Sequence, residues 1–222
     1  MIERFHGRYV HGRRVEVLAR HISEVLPRGA SVLDVGCGDG RLARLIMRRR
    51  PDVCINGVDV LARPETEIPV SLFDGATLPF ESASVDVVMF VDVLHHTNDP
   101  MVLLREAARV TRGGILIKDH IAQGLFAGAT LRFMDRVGNR RHGVALPHKY
   151  WTRSQWENAR RELELTPLVW KARLGLYPFP ANLLFERQLH FVALFRNSNK
   201  AAYFQNGSNK HTDPEPVGSG LS

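Results

Sequence analysis

The segment Gly36-Cys37-Gly38-Asp39-Gly40 follows a short apolar run and has the composition of a turn that lets a ligand approach bare backbone. Carboxylates stand where such a ligand would offer donors. Asp34 precedes the turn and could meet a cationic group, while Asp59, at the end of the next apolar run, could accept from both hydroxyls of a ribose. Asp74 and Gly75 close a third run, where a carboxylate could accept from an exocyclic adenine amine. Further along, His95-His96 and Asp119-His120 follow two more apolar runs. A carboxylate beside an imidazole can hold and orient a general base, so Asp119-His120 is the candidate catalytic pair. The alternative for Asp119 is a helix N-cap without chemical role.

These groups share one end of a structure only if the runs are parallel strands. Residues 13 to 26 carry Val15, Leu18, Ile22 and Leu26 at helical spacing, and Pro27 and Gly29 stop the pattern. Strands are expected at 31–35, 54–60, 69–74 and 85–94, with the helix RLARLIMRRR after the glycine turn, ended by Pro51. Asp99 and Pro100 provide an N-cap and first-turn proline for MVLLREAARV, which Gly113 and Gly114 should close before the strand ILIKD. Thr152 and Gln155 stand at capping-box spacing ahead of another helix, and two further strands are expected near 169–177 and 187–196. Alternating strands and helices imply a doubly wound α/β domain whose sites lie at the carboxyl ends of its strands.

With 222 residues, 44% hydrophobic and 24% charged, the chain fits one soluble globular domain. Apolar runs reach neither membrane-span length nor the core of a secretory signal, so a cytoplasmic protein is expected. Cys37 and Cys54 fall outside any CxxC spacing, which argues against a disulfide framework or structural zinc. The net charge of +7 would suit an anionic partner, but the basic residues are scattered and the densest run, Arg48 to Arg50, falls at an expected helix end.

VLDVGCGDG, GVDV, DGATLPF and VDVVMFVDVLHHTNDP occur in that order and resemble the successive motifs of class I S-adenosylmethionine-dependent methyltransferases, particularly the type 11 group. The resemblance covers about residues 30 to 120. It implies a mostly parallel, Rossmann-like sheet of seven strands with one antiparallel edge strand, and S-adenosyl-L-methionine as cofactor. It places Asp34, Gly36 and Gly38 at the methionine end, Asp59 on the ribose, Asp74 and Gly75 on the adenine, and Val91 or its neighbour on the cofactor's inner face, with Cys37 and His96 among the cofactor contacts. Nicotinamide and flavin enzymes are disfavoured because the turn is GxGxG and Arg41 stands where GxGxxG has glycine; a P-loop lacks its Gly-Lys-Ser/Thr.

The segment 121–151, with Arg132, Asp135, Asn139, Arg140, Arg141, His142, His148, Tyr150 and Trp151, is a candidate substrate lid, equally readable as an ordinary packed excursion. Asp119, His120 and Asp135 lack tight metal-ligand spacing, so no metal is expected. The methyltransferase domain should run over 1–197, followed by a disordered tail, 198–222, rich in Ser, Asn, Gly and Pro. The expected acceptor is a small molecule or lipid-like, since no nucleic-acid module is visible; the rivals are an RNA or DNA methyltransferase and a non-catalytic S-adenosylmethionine-binding protein.

Overall fold

The computed structural model describes residues 2–138 and 149–200. Helix α1 (Ile2–Val25) leads into β1 (Ser31–Val35), α2 (Arg41–Arg49), β2 (Cys54–Asp59), β3 (Val70–Leu72) and β4 (Val85–Val91). Then come α3 (Pro100–Val110), β5 (Thr111–His120), α4 (Ala127–Gly138), α5 (Arg153–Glu162), β6 (Leu165–Lys171), α6 (Asn182–Phe185) and β7 (His190–Asn197). The sheet has seven strands in the order β3-β2-β1-β4-β5-β7-β6, with β1 to β5 parallel and β7 antiparallel to both neighbours. The doubly wound architecture expected from the sequence is therefore present, with β6 at the edge.

Strands covered on both faces must be apolar throughout, and Val87, Val88, Met89 and Phe90 are all buried. One face packs Leu103, Leu104 and Ala107 of α3 and Trp156 of α5 against Val88, Phe90 and Ile117. The other packs Leu18 and Ile22 of α1 and Ala43 and Ile46 of α2 against Val32, Met89 and Leu116.

The helix caps form as the residue types require. Asp99 accepts from the Met101 N–H, and Thr152 and Gln155 complete their reciprocal capping box. Other boundaries differ. Gly113 and Gly114 do not close α3: both lie inside β5, because Thr111 ends the helix and its hydroxyl holds the Asp86 and Gly114 carbonyls and the Gly113 N–H beside a register shift. The strand expected to reach residue 94 stops at Val91, where Asp92 adopts φ 57° and turns the chain out of the sheet. The strand expected at 169–177 is instead Leu165–Lys171; Leu174 and Leu176 are buried outside any strand, with Gly175 at φ 67° between them. Pro167 is tolerated within β6 because that strand is an edge.

The first residues assigned to a disordered tail are ordered. Ser198–Lys200 forms a single 3₁₀ turn, and the Lys200 ammonium donates to the carbonyls of Ala108, Arg109 and Thr111, satisfying the end of α3. The remainder, 201–222, lies outside the described residues.

Candidate active site

The glycine turn crosses from the tip of β1 to the start of α2 and is pinned by the Gly36 and Cys37 N–H groups, which donate to the Val58 carbonyl at 2.7 and 3.2 Å. Gly36 has φ 73°, and a Cβ there would lie 2.6 Å from a Val93 methyl, so the turn cannot carry a side chain at this point. Gly38 has φ 61°, but nothing lies within 4 Å of its Cβ position. This bare face is the part a ligand can approach. Cys37 turns its thiol inward against Gly57, and burial pushes that thiol up to about 12, so it serves the turn through its backbone.

Asp59 ties the turn to β2. One carboxylate oxygen accepts from the Gly38 N–H at 2.8 Å and the other from the Leu61 N–H at 2.9 Å, leaving each oxygen further acceptor capacity. Asp34 is buried beside it, and among the described residues no donor reaches its carboxylate. Burial, together with the charge of Asp59, pushes the Asp34 carboxyl up to about 8. Asp74 is exposed after β3 and accepts from the Ala76 and Thr77 N–H groups at 2.8 and 2.6 Å, bonds that hold it below the ordinary carboxylate range. A Cβ at Gly75 would touch a Val60 methyl at 3.3 Å, which brings the Asp74-Gly75 turn against exposed Val60, beside Leu61. Val91 ends β4 half-buried.

A second polar group occupies the tips of β4, β5 and β7. Asp119 does not cap the helix that follows it in sequence; it lies within β5 and accepts from the Leu94 N–H at 3.1 Å, the first residue of the 3₁₀ turn Leu94–His96. Its other oxygen meets His95 Nδ1 at 2.6 Å, the His120 N–H at 2.8 Å and His120 Nδ1 at 3.1 Å. Burial alone would raise this carboxyl, but the two imidazoles outweigh it and hold Asp119 well below the ordinary range. Burial, with Lys118 nearby, lowers His120 instead, favouring the neutral ring with its Nδ1 proton on Asp119. His95 also packs on His96 at 3.9 Å between ring centroids, and Tyr150 stacks on it at 5.4 Å.

Sequence reasoning missed four members of this group. Lys118 is fully buried and pairs with Asp92, which Arg14 of α1 also approaches at 3.4 Å. Burial would raise Asp92, but Lys118, His120 and Arg14 outweigh it and lower it strongly. His190 pairs with His120 across the β5–β7 register, its ring 4.8 Å away and its Nε2 3.1 Å from the Phe185 carbonyl. The legible signal was a lysine inside the apolar run ILIKDH, since a buried ammonium needs a partner. His95, absent from the expected catalytic pair, is bound to Asp119 more closely than His120 is.

Asp92, His95, Asp119 and His120 could each offer a metal one atom, all within 4.8 Å of one another. They are already engaged with each other and with the Lys118 ammonium, an arrangement suited to holding protons. Of the other metal candidates, the Asp135 side chain is outside the described set, as are Asn139, Arg140, Arg141, His142 and His148 of the segment expected as a candidate lid.

Residues 33–117 match the family model described as a methyltransferase domain. Similar proteins include the 27-O-demethylrifamycin SV methyltransferase of Amycolatopsis mediterranei, 30% identical over 44% of this chain and 41% of that protein. The 2-methyl-6-phytyl-1,4-hydroquinone methyltransferase of Synechocystis is 32% identical over 42% of this chain and 33% of its own length. The chain thus spans less than half the length of either relative. Among solved structures, a chain of the Haloferax volcanii complex of the Trm112 methyltransferase activator superposes with a TM-score of 0.64 at 16% identity, covering 86% of this chain and 93% of that one. The [4+2]-cyclase SpnF superposes with a TM-score of 0.57 at 16% identity, covering 82% and 81%. Residues 33–117 therefore resemble a methyltransferase domain, and the solved structures share the fold in which that stretch lies.

S-Adenosylmethionine, the cofactor that the match to a methyltransferase domain implies, fits the donor set. Among the described residues the Asp34 carboxylate lacks a donor and suits a cationic ligand end, Gly38 leaves an uncovered backbone face, and Asp59 retains acceptor capacity for hydroxyls. Among the described residues no helix is long and apolar enough to cross a membrane.

Proposed function

We propose that the chain transfers the methyl group of S-adenosylmethionine to a small-molecule or lipid-like acceptor, with Asp34, Gly36, Cys37, Gly38, Asp59, Asp74, Gly75, Val91 and His96 forming the cofactor site. The observation that carries this reading is the buried Asp34 carboxylate, without a donor among the described residues, beside the bare face at Gly38. When bound, the cofactor supplies an electrophilic methyl group on its sulfonium. Asp34 would face the positive charge, Asp59 would accept from the ribose, and the hydrophobic surface of Val60 and Leu61 would cover the adenine beside Asp74 and Gly75.

His120 takes the acceptor's proton when the nucleophile is a hydroxyl. Its neutral ring, with the Nδ1 proton on Asp119, leaves the Nε2 lone pair as base, and Asp119 stabilises the imidazolium that forms. The proton that the acceptor hydroxyl gives up on methylation would rest on His120 Nε2. The protein otherwise contributes alignment and exclusion of water. Release of S-adenosylhomocysteine on incubation with a metabolite and lipid extract tests the reading; cofactor binding with no release would overturn it.

A second reading, cofactor binding without methyl transfer, is favoured by one observation: a cyclase shares this fold, so the fold does not select the reaction. The same release assay separates the two.

A further inference from the structure

Among the described residues, six of the twelve exposed large apolar side chains belong to just two excursions, one following β5 and one joining β6 to β7. Leu125, Phe126 and Phe179 are 83%, 75% and 78% exposed, and Phe133, Leu183 and Leu184 are more than half exposed. The excursions are held together. Phe133 and Phe185 stack with centroids 6.2 Å apart, and the Arg187 guanidinium donates to the Thr130 hydroxyl at 2.8 Å and the Leu125 carbonyl at 3.5 Å. Helix α4 buries Ala127 and Leu131 below and turns Phe133, Arg132 and Arg136 outward. Phe126 adopts φ 60°, a left-handed conformation that an aromatic residue rarely takes, with its side chain exposed.

We propose that this face docks on an anionic lipid bilayer, and that the acceptor is an amphiphile held in that bilayer; the second part rests on the methyl-transfer reading above. Apolar side chains this exposed and this concentrated mark an interaction surface. Its charge identifies the occupant. Among the described residues Arg132 and Arg136 make no ion pair, and with Arg187 they rim the apolar centre with positive charge on a chain of net charge +7. A second copy seated by two-fold symmetry would bring this basic rim against itself, whereas anionic headgroups neutralise it while the aromatic and leucine side chains enter the acyl boundary.

The location suits an amphiphilic acceptor. The Phe185 carbonyl at the end of α6 receives the His190 ring, and His190 lies 4.8 Å from His120, so the proposed base is linked through one histidine to the helix that carries Leu183 and Leu184. A lipid tail can remain on the outside while its polar head descends to the buried group of Asp92, Lys118, Asp119 and His120.

Cosedimentation of the full chain with vesicles of phosphatidylcholine alone, or containing one quarter phosphatidylglycerol, tests the docking. The expected result is at least about tenfold stronger partition onto the anionic vesicles, falling severalfold at about 0.5 M salt. Leu125→Ser with Phe126→Ser should lower partition about tenfold, and Arg132→Glu with Arg136→Glu should abolish the preference for anionic lipid, both with unchanged cofactor affinity and melting temperature. Absence of binding to anionic vesicles, or binding that neither variant alters, overturns the proposal. So does a wild-type dimer in sedimentation equilibrium that the serine variant converts to monomer. Cofactor titration of the same samples separates the readings: a chain that binds S-adenosylmethionine but ignores vesicles overturns the docking and leaves the methyl-transfer reading standing, and one that binds vesicles but not the cofactor overturns the methyl-transfer reading and with it the amphiphilic acceptor, leaving the docking.

Discussion

The two halves of the site are built in different ways. The half over β1, β2 and β3 is made of backbone and carboxylates that lie close together in sequence: a glycine turn, the aspartate before it, and one aspartate at or just beyond each of the next two strands. The half over β4, β5 and β7 is made of side chains. Arg14, Asp92, His95, Lys118, Asp119, His120 and His190 come from a helix, a loop and two strands spread over most of the chain. A cofactor shared by a family can be held by a local motif, whereas an acceptor particular to one protein is recognised by groups that only the fold assembles.

If that division is functional, damage to the second half should strike turnover and leave cofactor binding intact. The largest expected effect is that of His120→Ala, which should lower turnover about 10²- to 10⁴-fold at unchanged S-adenosylmethionine affinity, as measured by S-adenosylhomocysteine release and calorimetry. Asp119→Asn should reduce turnover and also cost about 2 kcal/mol of stability, because the amide cannot accept from Leu94, His95 and His120 together. A nearly silent Asp119→Asn would erase the proposed coupling of the two histidines.

The first half breaks in the opposite sense. Asp59→Ala should weaken cofactor binding by about 1 to 3 kcal/mol, through loss of the ribose acceptor and of its bond to the Gly38 N–H. Unchanged affinity in a folded variant would remove Asp59 from the ribose.

Asp34 sharpens the comparison through pH. Its carboxyl titrates near 8, and a cationic ligand needs the charged form, so affinity should rise about tenfold per pH unit up to that value and level off above it. Because the folded group binds its proton more tightly than the unfolded one, its contribution to stability is full below the ordinary carboxylate range and is lost as pH rises toward 8. Asp34→Asn should therefore melt higher than wild type at pH 8 while binding the cofactor more weakly and without this pH dependence. A variant that loses both stability and binding would show Asp34 to be structural.

The smallest effect belongs to neither half. Ending the chain after Lys200 should leave melting temperature and cofactor affinity nearly unchanged, since the docked Lys200 ammonium is retained. Lys200→Ala in the full chain should cost more, about 1 kcal/mol, read by thermal melting.

The strand–turn–helix units, the Asp99 cap and the Thr152–Gln155 capping box were legible because each is governed by residues within a few positions of one another. Strand ends were less so: Asp92 turning out of β4 and the glycines admitted into β5 depend on neighbours supplied by other strands. By itself, the sequence determined a parallel α/β domain with a glycine turn and carboxylates at its strand tips, since apolar periodicity and glycine placement are local properties. Only the tertiary structure decided that Asp119 serves two histidines and a 3₁₀ turn 25 residues upstream, and that Lys118 meets Asp92. It alone brought the exposed leucines and phenylalanines of two separate excursions into one face. Those are pairings between distant segments, set by strand order and register, and no spacing within either segment encodes them.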